Sequence, residues 1–202
     1  MLFRSIIDAL VQLVIFAIIP FLHWALKIKN QESFYQWIGL KKPAFQPKSK
    51  SIILSALSFA ILLLPGVLLL FVIDDKTMIA NAQFATKGWQ SIGGILIYSI
   101  IQTGLSEELL FRGFFLKIFS SRWGLGIGNF IQALLFGLLH GAILFASLNF
   151  FLVITIIVFS ALAGWLMGYV NNNLGNGSIL PSWFIHSFMN IISSLLLAFN
   201  FL

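Results

Sequence analysis

Three short clusters carry the side chains able to do chemistry. The first is Ser106-Glu107-Glu108-Leu109-Leu110-Phe111-Arg112-Gly113, two adjacent acids and an arginine in an otherwise apolar stretch. On a helix Glu108 and Arg112 are four residues apart and share a face, so they can pair. Glu107 points about 100° away from Glu108. One carboxylate can be held by the guanidinium while the other faces a cavity and accepts a proton. The plainer alternative is an ion-pair network that only fixes packing. The second cluster is Phe136-Gly137-Leu138-Leu139-His140-Gly141. There a neutral imidazole can orient a water or a carboxylate, bind a metal, or simply pack. The third is His186-Ser187-Phe188-Met189-Asn190. His186 and Asn190 lie on one helix face and can both donate, which suits an oxyanion pocket. Helix packing through the asparagine is the alternative.

What must position these residues is a membrane bundle. Of 202 residues 59% are hydrophobic and only 9% charged, with 12 Lys+Arg against 6 Asp+Glu. A soluble domain carries about 25% charge. So little charge excludes a soluble globule and a disordered chain. An ionisable residue at a span centre costs about 2.5–3.5 kcal/mol to insert, which singles out those that are there. A span needs roughly 20 apolar residues. Six segments qualify: 5–26 with Pro20 inside, 51–73 interrupted at Pro65-Gly66, 89–119, 125–146, 150–170 and 181–202. The third is overlong and polar in its second half. The short link at Ser147-Leu148-Asn149 makes the fourth and fifth an antiparallel pair. The expected fold is therefore all-α, a polytopic integral membrane bundle of about six transmembrane helices. It forms a single domain over 1–202, with a catalytic-like core at about 89–195.

Lys27, Lys29, Lys41, Lys42, Lys48 and Lys50, less Glu32, give all but one of the +6 net charge. A basic excess confined to one loop is a topology signal, and it argues against nucleic acid as partner. With Lys117 and Arg122 it places loops one and three in the cytoplasm and both termini outside; Arg4 votes mildly against. The same loop holds Phe34, Tyr35, Trp37, Ile38 and Leu40, so it either rests on the anionic leaflet or is a solvated loop with interfacial anchors. Asp8 and the long apolar run argue against a cleaved signal peptide. Cysteine is absent, so thiol chemistry is excluded. His23, beside Trp24, reads as interfacial. Gly164 and Gly168 read as a helix-packing face. The Asn/Gly-rich 171–178 loop reads as a flexible connection able to gate a cavity, and Asn176-Gly177-Ser178 as a chance glycosylation match.

Taken together, Glu107-Glu108 with Arg112, Phe136 with His140, and His186 with Asn190 resemble the CAAX-protease and bacteriocin-processing family of intramembrane proteases. Its pattern is Glu-Glu-x-x-x-Arg, Phe-x-x-x-His and His-x-x-x-Asn/Asp on successive helices. The Ile38-Gly39-Leu40-Lys41-Lys42-Pro43 and Ser178-Ile179-Leu180-Pro181 stretches are also of the family's kind. The resemblance implies an intramembrane endopeptidase, multi-pass in a bacterial cell membrane, acting on a membrane-associated, prenylated or otherwise lipidated peptide or protein. It implies that Glu107 activates a water, that His140 helps hold it, that His186 and Asn190 stabilise the oxyanion, and that Glu108 and Arg112 fix charge and geometry. Roles in bacteriocin maturation or self-immunity go with the family.

Metal is a choice the residues leave open. Glu107, His140 and His186 could form a two-His, one-carboxylate zinc site. No His-Glu-x-x-His pair is present, and the reading preferred here has no obligatory cofactor. Two other function classes compete with proteolysis. One is a non-catalytic immunity or scaffold protein that binds a peptide or partner. The other is a proton-coupled carrier, which would show repeat symmetry that the sequence lacks.

Overall fold

A computed structural model describes residues 2–44 and 79–201 and, between them, 49, 52, 53, 55–60, 63, 67 and 71. Among the described residues the regular structure is helical. Helix α1 is Leu2–Lys27 and contains Pro20. The short α2 is Phe34–Ile38, opened by Ser33, whose hydroxyl accepts from the Gln36 N–H, and stopped by Gly39 at φ 93°. Only glycine adopts that left-handed conformation freely.

The third helix, α3, is a continuous run over 92–123. Its α-helical pieces Ile92–Ile97, Ser106–Glu108 and Leu116–Trp123 alternate with wider π-helical stretches, Tyr98–Leu105 and Leu109–Phe115. Then come α4 (Leu125–Leu144), α5 (Phe150–Tyr169, extended by the π-helical Val170–Leu174) and α6 (Leu180–Ala198), with Pro181 in its first turn. Pro181 fits there because the N–H it lacks has no helical partner at that position.

Four of these helices, α1, α4, α5 with its extension, and α6, are long and apolar enough to cross a bilayer. Their outer faces carry exposed apolar side chains such as Val14, Phe130, Phe151 and Phe184, as lipid contact requires. The protein is an integral membrane protein. The third expected span corresponds to α3, which its π-helical stretches divide. The second expected span lies largely outside the described residues, Pro65-Gly66 included. Of its described members, Phe59 meets Phe188 of α6 edge to face, with ring centroids 6.4 Å apart.

Helices α4 and α5 form the expected antiparallel pair. Gly164 lets Ala133 approach: a Cβ there would lie 3.1 Å from the Ala133 Cα. Gln132, fully buried, donates to the Gly164 carbonyl at 2.9 Å, and Asn129 donates to the Trp165 carbonyl at 2.9 Å. The small-residue face thus admits amides that bond directly to the neighbouring backbone.

Helices α1 and α3 run parallel. Leu2 lies against Gly93 at their N-terminal ends, and His23 meets Phe114 near their C-terminal ends. The C-terminal end of α3 is closed by α2. Ile38, fully buried, sits on Gly113, where any Cβ would fall 2.7 Å from it. Trp37 is stacked on His23, centroids 5.6 Å apart. Just beyond, the Ile179 N–H donates to the Gly39 carbonyl at 2.9 Å, and the Ser178 hydroxyl to the Lys41 carbonyl at 2.5 Å. Two expectations change here. Trp37 and Ile38 turn inward rather than anchor at the membrane surface, and His23 is a packing residue that ties α1 to α2 and α3.

Candidate active site

The buried hub of the bundle is Glu108, which is fully enclosed. Arg112, one turn on, places Nη1 3.0 Å from its Oε1. The guanidinium also lies over the Phe136 ring, 4.2 Å from its centroid. A planar cation can be held on two sides this way, by a carboxylate and by a ring face. From α6, His186 brings Nδ1 to 3.0 Å from the same Oε1. The other oxygen, Oε2, accepts from the Ser182 hydroxyl. Ser182 is itself clamped: its N–H donates to Asn171 Oδ1 at 3.1 Å, and its hydroxyl accepts from Asn171 Nδ2 at 2.6 Å. Glu108 therefore has three partners from two helices, and no opening to the cavity.

Glu107 is arranged differently. It lines a cavity of about 420 Å³ that His140, His186 and Asn190 also line. Its Oε2 makes no hydrogen bond among the described residues and lies 3.8 Å from His186 Nε2. Both acids sit on the single α-helical turn between the two π-helical stretches. The wider turns release main-chain carbonyls that nearby hydroxyls take up: Thr103 donates to the Tyr98 carbonyl at 3.1 Å, and Ser106 to that of Gln102. Wide turns of this kind recur at functional sites.

The two histidines present different atoms to the cavity. Each Nδ1 faces an acceptor, so each Nδ1 carries a proton: His186 donates to Glu108, and His140 to the Phe136 carbonyl at 2.9 Å. His140 then offers the lone pair of Nε2, which suits a water donor. For His186 to donate from Nε2 toward an oxyanion, the ring must be doubly protonated. Asn190 is set by α3, its Nδ2 donating to Thr103 Oγ1 at 2.7 Å.

All six residues singled out from the sequence come together around this seam, four on the cavity wall and two, Glu108 and Arg112, behind it. The candidate zinc ligands do not converge: among the described residues no group of three His, Cys, Asp or Glu is placed to hold a metal ion. Sequence reasoning missed Ser182, Asn171 and Thr103. Ser182 had a signal, since Ser182, His186 and Asn190 repeat every four residues along one face. Asn171 had none. It lies in the segment expected to be a flexible gate, yet it is buried and bonded, and so is Ser178.

Comparison with known proteins adds one match. Residues 88–192, just over half of the chain, match the family model described as type II CAAX prenyl endopeptidase Rce1-like. The chain belongs to that family. No curated protein and no solved structure matches it. In this Rce1-like chain the matched stretch runs from the start of α3 into α6 and contains all six site residues. Helices α1 and α2 lie outside it, although α2 supplies the plug that closes one end of the bundle.

Proposed function

We propose that this Rce1-like protein is an intramembrane endopeptidase that hydrolyses a peptide bond of a membrane-associated or lipid-modified peptide by carboxylate-activated water. One observation carries the reading. Of two adjacent buried acids, Glu108 is fully engaged, while Glu107 lines the cavity and its buried Oε2, 3.8 Å from His186 Nε2, makes no hydrogen bond among the described residues. A cavity-lining carboxylate with an unbonded oxygen is suited to act as a base.

A water between Glu107 and His140 gives a proton to Glu107 as its oxygen attacks the scissile carbonyl carbon. The carbonyl π electrons move to oxygen. That oxyanion is met by the Nε2–H of the His186 cation and by the second Nδ2–H of Asn190. On collapse the C–N bond breaks, and Glu107 returns its proton to the leaving amine. Glu108 stays ionised throughout. It holds His186 at Nδ1 and balances Arg112, so charge moves only among groups already in place. A water-excluding bilayer strengthens each of these interactions. Bacteriocin maturation or self-immunity is the setting in which such a peptide substrate would be met.

The test is Glu107→Gln, which keeps the volume and removes the base. Cleavage of a quenched fluorescent peptide by the purified protein should fall about 10²–10⁴-fold. The detergent melting temperature should fall far less than in Glu108→Ala, because Glu107 Oε2 makes no hydrogen bond among the described residues and gives up the 3.8 Å contact to His186 Nε2. Full cleavage by Glu107→Gln would end the reading, and would favour a protein that binds peptides without cutting them.

A further inference from the structure

The cavity has a direction. Its lining residues come from the N-terminal halves of α1, α3 and α5, the C-terminal end of α4, the stretch of α6 from His186 to Ser193, and the 79–83 segment, together with Leu63 and Val67. These residues run from the middle of the bundle, at Glu107 and His186, to one end. There the cavity reaches the surface beside Gln83 and Ile143, both exposed. The opposite end is closed by α2, by the bonds that Gly39 and Lys41 just after it accept from Ile179 and Ser178, and by the Glu108–Arg112–Ser182 hub.

The charges are split between the same two ends. Among the described residues, Lys27, Lys29, Lys41, Lys42, Lys117 and Arg122 flank the closed end. The open end has Arg4, which pairs with Asp8 at 3.7 Å, and Lys87. Basic residues are retained in the cytoplasm during insertion. The closed end is then cytoplasmic and the cavity faces away from the cytoplasm.

The wall narrows the ligand class. Five primary amides, Gln12, Asn81, Gln83, Gln102 and Asn190, line it, and Ser193 joins them. Gln102 donates to Gln12 at 3.3 Å and Asn81 to Ser193 at 3.1 Å, which leaves each amide further donors or acceptors. Apart from Glu107, His140 and His186 of the site itself, no Lys, Arg, Asp, Glu or His lines it, and much of the rest of the wall is apolar, with Ile79, Ile143, Leu144 and Ile156. Primary amides bond to peptide groups and discriminate poorly among side chains. A wall of amides and apolar side chains, with charge confined to the site, fits an extended, uncharged peptide segment.

We propose that the substrate is an uncharged peptide segment that enters from the face opposite the cytoplasm, so that the protein acts on exported or externally presented chains. This rests on the proteolytic reading for its chemistry, but not for its direction. The chain has no cysteine, so single cysteines report cleanly. Gln83→Cys and Lys42→Cys would be treated in intact cells with a membrane-impermeant maleimide. Gln83→Cys should label directly, and Lys42→Cys only after permeabilisation. The reverse pattern, or equal labelling of both before permeabilisation, overturns the proposal.

In proteoliposomes of the Lys42→Cys chain, with Gln83 left unchanged because it lines the cavity, the impermeant maleimide gives the fraction with Lys42 outward and, by difference, the fraction with Gln83 outward. A quenched fluorescent peptide of uncharged residues is added outside. Its cleavage should follow the fraction of molecules with Gln83 outward; cleavage that follows the Lys42-outward fraction overturns the proposal. If the peptide is cut neither there nor in detergent, the proteolytic reading fails and the substrate half falls with it. The labelling still decides the direction.

Discussion

Two helix pairs in this bundle bury polar side chains, and they do so for opposite ends. Between α4 and α5 the polar groups are neutral amides whose donors go to backbone carbonyls one residue apart, at Gly164 and Trp165. Glycines hold the helices close enough for that. Between α3 and α6 the polar groups are charged, the helix geometry is widened by π turns, and one carboxylate oxygen is left open. The first arrangement spends polarity on fixing two helices. The second spends packing on holding a carboxylate ready. Adjacent residues can even be divided this way: Glu108 belongs to the structure and Glu107 to the cavity.

The sharpest way to break this comparison is to exchange the roles of those two acids. Glu108→Ala strands Arg112 in the interior without the carboxylate it pairs with, and breaking a buried pair typically costs about 3–5 kcal/mol. It should lower the midpoint of thermal or denaturant unfolding and release His186 and Ser182 as well. Glu107→Gln, which gives up the 3.8 Å contact to His186, should lower that midpoint much less. If both substitutions destabilise equally, Glu107 is as structural as Glu108 and the division fails. Asn190→Ala comes next. Loss of one oxyanion donor should reduce kcat about 10²–10³-fold. KM should change little, because the oxyanion exists only in the transition state. A change confined to KM would make Asn190 a binding residue.

How much of this could be read beforehand depended on what kind of signal each feature leaves. Four membrane helices were legible to within a few residues, because twenty apolar residues between polar links have few other readings. The Glu108–Arg112 pair followed from helical spacing alone. The plug did not. Trp37 and Ile38 have the composition of an interfacial anchor, and hydropathy cannot tell a side chain that faces lipid from one buried in protein. The π turns of α3 were equally silent, since a five-residue hydrogen-bond period has no pattern in residue type. Ser182 was visible in principle as the first member of its four-residue series. It was passed over because serine is unremarkable in a first helical turn.

Ser182 tests whether the hub can be loosened without being broken. Ser182→Ala deletes one hydrogen bond to a charged acceptor, worth about 1.5–3 kcal/mol, and leaves Arg112 paired. Glu108 would still hold His186 by one oxygen, with its other oxygen unsatisfied. The expected result is a lower kcat with KM little changed, since the carboxylate that orients His186 is no longer fixed. Ser182→Thr keeps the hydroxyl and should restore most of the lost kcat. A loss of stability with kcat unmoved would place Ser182 with the packing residues instead.

The smallest effect is expected on the other helix pair. At Gly168 an added Cβ would run into Asn129 and come within 3.0 Å of Gln132 Nε2. Gly168→Ala must therefore push α4 and α5 apart or displace both amides. Overpacking of that kind costs about 1–3 kcal/mol. The cost should appear in the melting temperature, while the turnover of the protein that remains folded is unchanged, because neither Asn129 nor Gln132 lines the cavity. If turnover fell in proportion to stability, α4 could not be a passive support. His140, on the same helix, would then be carrying the displacement into the site, and the two helix pairs would have to be treated as one coupled unit.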